Sequence, residues 1–153
     1  MVNLVDVEHA PATSNHFLGE SLDHLDVTIQ TYEHDPALLR LETSRTTIRE
    51  TLHSHLFRSV CPVTGQPDWA SVMVQYAGQP IDHVSLLQYL VSFRSHAAFH
   101  ESTVEQMFMD LKEVCQPDSL SVYARFLRRG GIDINPFRSD HEDVAPELRV
   151  GRQ

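Results

Sequence analysis

The stretch Trp69–Ala77, WASVMVQYA, decides how this chain folds. It alternates, placing Ala70, Val72, Val74 and Tyr76 on one side, and a period of two marks a strand with a buried face. Working outward, the next two apolar patterns have the helical period instead. Residues 82–94 set Leu86, Leu87, Leu90 and Phe93 on one face, with Asp82 placed to cap the first turn. Residues 98–115 do the same with Val104, Met107, Phe108, Leu111 and Cys115, and Pro117 ends the pattern. Residues 119–128, SLSVYARFLR, alternate again. Gly130-Gly131 turns the chain, and Ile132, Ile134 and Phe137 predict one more short strand. Upstream, 46–60 (TTIRETLHSHLFRSV) reads as a strand because β-branched and aromatic residues run straight into turn chemistry at CPVTGQPD. DVTIQTY, 26–32, also alternates and predicts a short strand. The order strand, strand, helix, helix, strand, strand implies an α+β module, an antiparallel sheet with two helices packed on one face.

The 153 residues suit one domain, or one module of a larger enzyme, and folding at this size hides roughly 68–70% of the unfolded surface. Residues 1–24 mix Asn, Pro, Ser, Gly and acids without a period and read as a leader or inter-module connection. Residues 25–138 form the folded module, and 139–153 a polar tail. Lys and Arg number 12 against 21 Asp and Glu, a formal charge of −9. A protein that neutralises several phosphates at once needs the opposite balance, so direct nucleic-acid binding is disfavoured; a local basic patch can still hold a phosphorylated small molecule. The start, MVNLVDVEHAP, carries acids where a signal peptide needs a basic flank, and no apolar run approaches the ~20 residues of a membrane span. The expected setting is cytoplasmic and reducing, with no membrane partner and both cysteines as free thiols.

Ser59 to Asp68, SVCPVTGQPD, is the stretch richest in chemistry. Two prolines and a glycine stiffen the turn and hold Cys61 and Asp68 in place. A thiol beside a carboxylic acid suits addition, the sulfur attacking and the acid moving a proton. A buried apolar Cys and a turn-capping Asp would look the same, and the residues alone leave both readings open. Phe99-His100-Glu101 opens the second helical stretch. Glu101 there either favours the positive helix end beside a solvated His100, or accepts two hydrogen bonds from an N–H-rich heterocycle with His100 carrying protons. Arg128-Arg129-Gly130-Gly131 is either a hairpin turn with a solvated Arg pair or a phosphate docking point. His53 and His55 share a strand face, but no Cys-x-x-Cys pair occurs and the ten histidines form no tight cluster. No metal ligand set is assigned, and Cys115 reads as core.

Three runs then become familiar together: HLFRSVCPVTGQPDWASVMVQY (55–76), YLVSFRSHAAFHE (89–101) and LSVYARFLRRGGIDINPFR (120–138). Between about Ser21 and Arg138 the chain resembles the NADPH-dependent 7-cyano-7-deazaguanine reductases, the nitrile reductases of queuosine biosynthesis in tRNA modification, built on the tunnelling fold. The resemblance implies roles position by position. Cys61 would be the nucleophile that forms a thioimidate with the nitrile carbon, and Asp68 the proton donor. His100 and Glu101 would hold the deazapurine, His100 also serving the chemistry, and Arg129 with Gly130 would contact NADPH. In the family a cofactor motif carries a leading Glu and two lysines. The matching segment here, Asp82-His83-Val84-Ser85-Leu86-Leu87-Gln88-Tyr89, has none of these. Longer family members carry that motif in the first of two tandem modules and the Cys/Asp/His-Glu set in the second, so this chain resembles the second module. A small-molecule deazapurine is then the expected substrate, and a homo-oligomer or a second tunnelling-fold module the expected partner. The rivals are an amidinotransferase-like enzyme that forms the same thioimidate on deazaguanine in tRNA, and a non-catalytic partner subunit. The acidic charge and the intact Arg-Arg-Gly-Gly turn weigh against the first, and the retained Cys61, Asp68, His100 and Glu101 against the second.

Overall fold

The computed structural model describes residues 17–44 and 46–142. Its strands are β1 (Glu20–Ser21), β2 (Ile48–Val60), β3 (Pro67–Gly78), β4 (Ser119–Phe126) and β5 (Phe137–Ser139), with helices α1 (His83–Ser92) and α2 (His100–Cys115) between β3 and β4. The five strands form one sheet in the order β1-β2-β3-β4-β5. Every pairing is antiparallel except that of β1, which runs parallel to β2. The expected α+β sheet with two helices is therefore present, extended at one edge by a strand from residues 17–24. Gly19 makes that edge contact feasible. Its φ is +97°, and a Cβ there would collide with the Thr51 carbonyl.

Alternation sorts the side chains of β3 and β4 onto two faces. Val72, Val74 and Tyr76 join Leu120, Val122, Ala124 and Phe126 in the core beneath the helices, where Leu86, Leu87, Leu90, Val104, Met107 and Leu111 close over them. Asp82 caps α1 as expected, accepting from the Ser85 N–H at 2.7 Å, a contact worth about 1 kcal/mol. α2 ends at Gln116, left-handed at φ +48°, one residue before Pro117. On the other face Met73 and Tyr123 pack with Phe17 and Phe137 in a small second cluster. β2 carries one extra residue between Ser54 and Phe57, and Asp23 compensates by accepting from Ser54 Oγ (2.6 Å) and from the His55 N–H (3.0 Å).

Two strand expectations are corrected. Residues 26–32 enter no strand. Val27 and Ile29 do alternate inward, but they pack against the core from the side, and Gln88 of α1 donates to the Thr28 carbonyl at 2.8 Å. Alternation there reports an extended chain lying along a helix. Of the stretch 132–139 only Phe137–Ser139 pairs in the sheet. Ile132 closes the two-residue turn with Arg129 instead, through N–H···O bonds of 2.9 and 3.1 Å. Gly130 and Gly131, at φ +55° and +79°, supply the positive dihedrals this turn demands. No helix among the described residues is long and apolar enough to cross a membrane.

Candidate active site

The β2–β3 connection builds the centre of the site. Ser59 pairs with Asp68 and Val60 with Pro67, so the ladder runs to the foot of the turn. There the Cys61 N–H donates to the Gln66 carbonyl (2.8 Å), and the Gly65 N–H donates back to Cys61 (3.0 Å). Gly65, at φ +71°, turns the chain back so that the Gln66 carbonyl meets the Cys61 N–H. Residues 96–98 then run beside the end of β2. The Val60 N–H donates to His96 O at 2.9 Å and the Ala98 N–H to Val60 O at 3.2 Å. This short seam delivers Phe99, His100 and Glu101, at the start of α2, to the mouth of the turn.

Cys61, Asp68, Phe99, His100, Glu101 and Arg129 line one cavity of about 250 Å³. Asp68 is 5% exposed, His100 6% and Cys61 7%, while Phe99 stands 59% exposed at the rim. The His100 ring stacks on Phe126 with centroids 3.8 Å apart and planes 5° off parallel, which fixes its Nε2 at 3.2 Å from Asp68 Oδ2. Arg129 forms an ion pair with the other Asp68 oxygen. One buried atom at the cavity, His100 Nδ1, has no hydrogen-bond partner. Buried polar groups normally find partners, so this ring nitrogen is open to a ligand in the cavity.

The electrostatics single out the sulfur. The Cys61 thiol is pulled down to about 6, first by the Thr64 hydroxyl, then by the N–H groups of Thr64 and Val63 and by Arg129, with burial opposing. At pH 7 such a thiol is roughly nine-tenths thiolate. Cys115, enclosed in the core, is pushed the other way by burial, to about 11. A thiolate, an Asp–His pair and an exposed carboxylate around one cavity can capture a flat, N–H-bearing electrophile.

The structure thus brings Cys61, Asp68, His100, Glu101 and Arg129 together. Arg129 is directed at Asp68 and the sulfur, while Arg128 is tied to Asp133 Oδ1 at 2.8 Å. The segment Asp82–Tyr89 is the cap and first two turns of α1, with Ser85, Leu86, Leu87 and Tyr89 buried. His96 does not join the site; its ring lies 5.2 Å from His34 and 5.1 Å from Phe93. Thr64 and Ser59 went unassigned in the sequence. The glycine after Thr64 signals the tight turn that Thr64 belongs to, whereas nothing local distinguishes Ser59 from any strand serine. A larger hollow of about 330 Å³, lined by His55, Trp69, Ser71, Arg125 and Leu127, holds none of the expected residues. Chemistry rather than size identifies the site. Among the described residues, the group spaced closely enough to hold a metal ion is Glu20, Glu50 and His83. There His83 turns a different ring nitrogen to each carboxylate, as in an ion-pair bridge.

This architecture is that of a tunnelling-fold module. The apo crystal structure of the archaeosine synthase QueF-Like superposes with a TM-score of 0.55 at 18% identity, covering 67% of this chain and all of that one. Residues 67–145 match the family described as QueF-like protein, and the chain belongs to that family. Proteins named NADPH-dependent 7-cyano-7-deazaguanine reductase are similar to it. The one from Paraburkholderia phymatum is 50% identical over 138 residues, 90% of this chain and 50% of its own. That of Burkholderia vietnamiensis is 52% identical over 136 residues, 88% of this chain and 50% of its own. The chain spans about half the length of these relatives.

Proposed function

We propose that this chain is the catalytic, C-terminal module of an NADPH-dependent nitrile reductase that converts 7-cyano-7-deazaguanine to 7-aminomethyl-7-deazaguanine. The observation that carries the reading is the Cys61 thiol, lowered to about 6 and sharing one cavity with Asp68, His100 and Glu101. A nitrile carbon is a modest electrophile and needs an anionic sulfur. Attack forms the C–S bond and turns C≡N into C=N. His100 Nε2 supplies, through Asp68, the proton that the nitrogen takes up. Glu101 accepts two parallel N–H bonds from the guanine-like edge, a geometry a carboxylate suits.

NADPH, when bound, supplies the hydrides. The residues present fit its phosphate. Arg129 lines the cavity with its guanidinium partly exposed, and a Cβ at Gly130 or Gly131 would meet nothing within 4 Å, so an anion can approach the backbone closely. Arg129 and Gly130 would hold that end. The remaining contacts would come from a second tunnelling-fold module, since α1 offers no lysine along Asp82–Tyr89.

The test is intact-mass measurement after incubation with 7-cyano-7-deazaguanine. One ligand mass is expected on the protein, absent in Cys61→Ala and retained in Cys115→Ala. An adduct mapped to Cys115, or none even when a first module is supplied, overturns the reading.

A further inference from the structure

Resting on that reading, we propose that Arg129 is the shared counter-cation of the Cys61 sulfur and the Asp68 carboxylate, and that it turns to a phosphate only once the sulfur has lost its charge. The geometry is specific to this arginine. Its backbone closes the two-residue turn after β4, and its guanidinium reaches Asp68 on β3 and lines the same cavity as the sulfur at the end of β2. Arg128, one residue earlier, is occupied by Asp133. The charged and titratable groups around the sulfur are Asp68 from β3, His100 and Glu101 from α2, and Arg129. Of these, Arg129 is the permanent cation.

A planar guanidinium can serve two anions at once, but a phosphate competes for the same N–H edges. When the sulfur attacks the nitrile carbon, the C–S bond forms and the nitrogen takes its proton from the His100–Asp68 pair, so the sulfur passes from anion to neutral. Arg129 then keeps one anionic neighbour in place of two, and its affinity for phosphate rises. Substrate capture thereby precedes cofactor docking. Linkage makes the coupling reciprocal: an anion that engages Arg129 makes the thiolate harder to form by the factor by which the thiolate weakens that anion's binding.

The experiment uses the full chain with Cys115→Ala, so that one thiol reports. Iodoacetamide alkylation of Cys61 is followed by intact mass as a function of pH. The profile should rise around pH 6, move to higher pH in Arg129→Gln with a several-fold lower rate at pH 6, recover in part in Arg129→Lys, and stay in place in Arg128→Gln. Sodium pyrophosphate at constant ionic strength is the anion probe. It should slow alkylation at pH 7 in the parent and leave Arg129→Gln unaffected. Superimposable profiles for the parent and Arg129→Gln overturn the counter-cation role. Equal pyrophosphate effects on the two, or none on the parent, overturn the coupling. None of these readouts involves the nitrile, so a missing nitrile adduct beside an intact Arg129 effect would refute the reductase reading alone. Matching melting curves confirm that each variant is folded.

Discussion

Asp68 and Asp110 are each 5% exposed, and each faces a histidine Nε2: His100 at 3.2 Å from Asp68, His34 at 2.7 Å from Asp110. Around Asp110 every direction is used. Tyr89 Oη donates at 2.6 Å and Gln106 at 2.7 Å, so loop 32–38, α1 and α2 are tied through one carboxylate. Around Asp68 the partners are an ion pair and a longer contact, beside His100 Nδ1, a buried ring nitrogen left without a partner, and at the wall of a cavity. The same two residue types at the same depth serve cohesion in one place and, in the proposed function, chemistry in the other. Saturation, rather than burial, separates the two roles. The two cysteines repeat the contrast, one lowered to about 6 in a turn full of donors and one raised to about 11 in apolar packing.

The cysteine contrast gives the largest expected effect. At pH 7 the thiolate fractions of Cys61 and Cys115 differ by about 10⁴, and the lower intrinsic nucleophilicity of the more acidic thiol returns roughly 10² of that. Limited iodoacetamide treatment and peptide mapping should therefore find Cys61 modified at least about 10²-fold faster, more once the enclosure of Cys115 adds its barrier. Comparable labelling of the two would break the distinction between site and core.

The aspartate pair should separate by readout. Asp68→Asn keeps the shape but removes the acid, so nitrile adduct formation should slow by about 10²-fold or more while the melting temperature barely moves. Asp110→Ala leaves Tyr89, His34 and Gln106 unpaired. It should cost ~3 kcal/mol and lower the melting temperature by roughly 6–12 °C, with adduct formation per folded molecule unchanged. If Asp68→Asn were the variant that melted early, Asp68 would be another structural carboxylate and the contrast would fail. Glu101→Ala sits between the two. Its loss should weaken heterocycle binding about ten- to a hundredfold, read by titration, without touching stability.

How much of this was legible in the sequence follows from how local each feature is. The strand at 69–77 and both helices were legible because their periods are long and their faces uninterrupted. DVTIQTY was misread because alternation describes an extended chain and does not say what it lies against; here the neighbour is α1, not a strand. The edge strand Glu20–Ser21 is two residues long and has no periodicity to detect. In the site, Cys61 and Asp68 were legible as the two ends of one stiff turn. His100 and Glu101 carried no signal beyond an ordinary helix start until the three runs were taken together. The position of Arg129 against Asp68 and the sulfur depends on how the end of β4 meets the end of β2, a long-range register that no local pattern encodes.

The smallest effect tests the finest claim, that the turn itself ionises the sulfur. Thr64 is exposed, and its hydroxyl is the foremost cause of the lowered Cys61 thiol. Thr64→Val keeps the branched shape and removes the donor, leaving the Thr64 and Val63 N–H groups and Arg129 in place. Because the hydroxyl favours the anion, its loss must raise the thiol; the thiolate fraction at pH 7 falls, and the alkylation profile moves to higher pH. With the remaining donors intact the rate at pH 7 should drop about two- to tenfold, and it should recover fully well above the new midpoint, where the thiol is ionised in either protein. That recovery separates an electrostatic role from a structural one, since a disordered turn would also change the rate at high pH. A Thr64→Val profile identical to the parent would assign the ionisation to Arg129 and the backbone. A loss at every pH would mean instead that the hydroxyl holds the curl at Gly65 in shape.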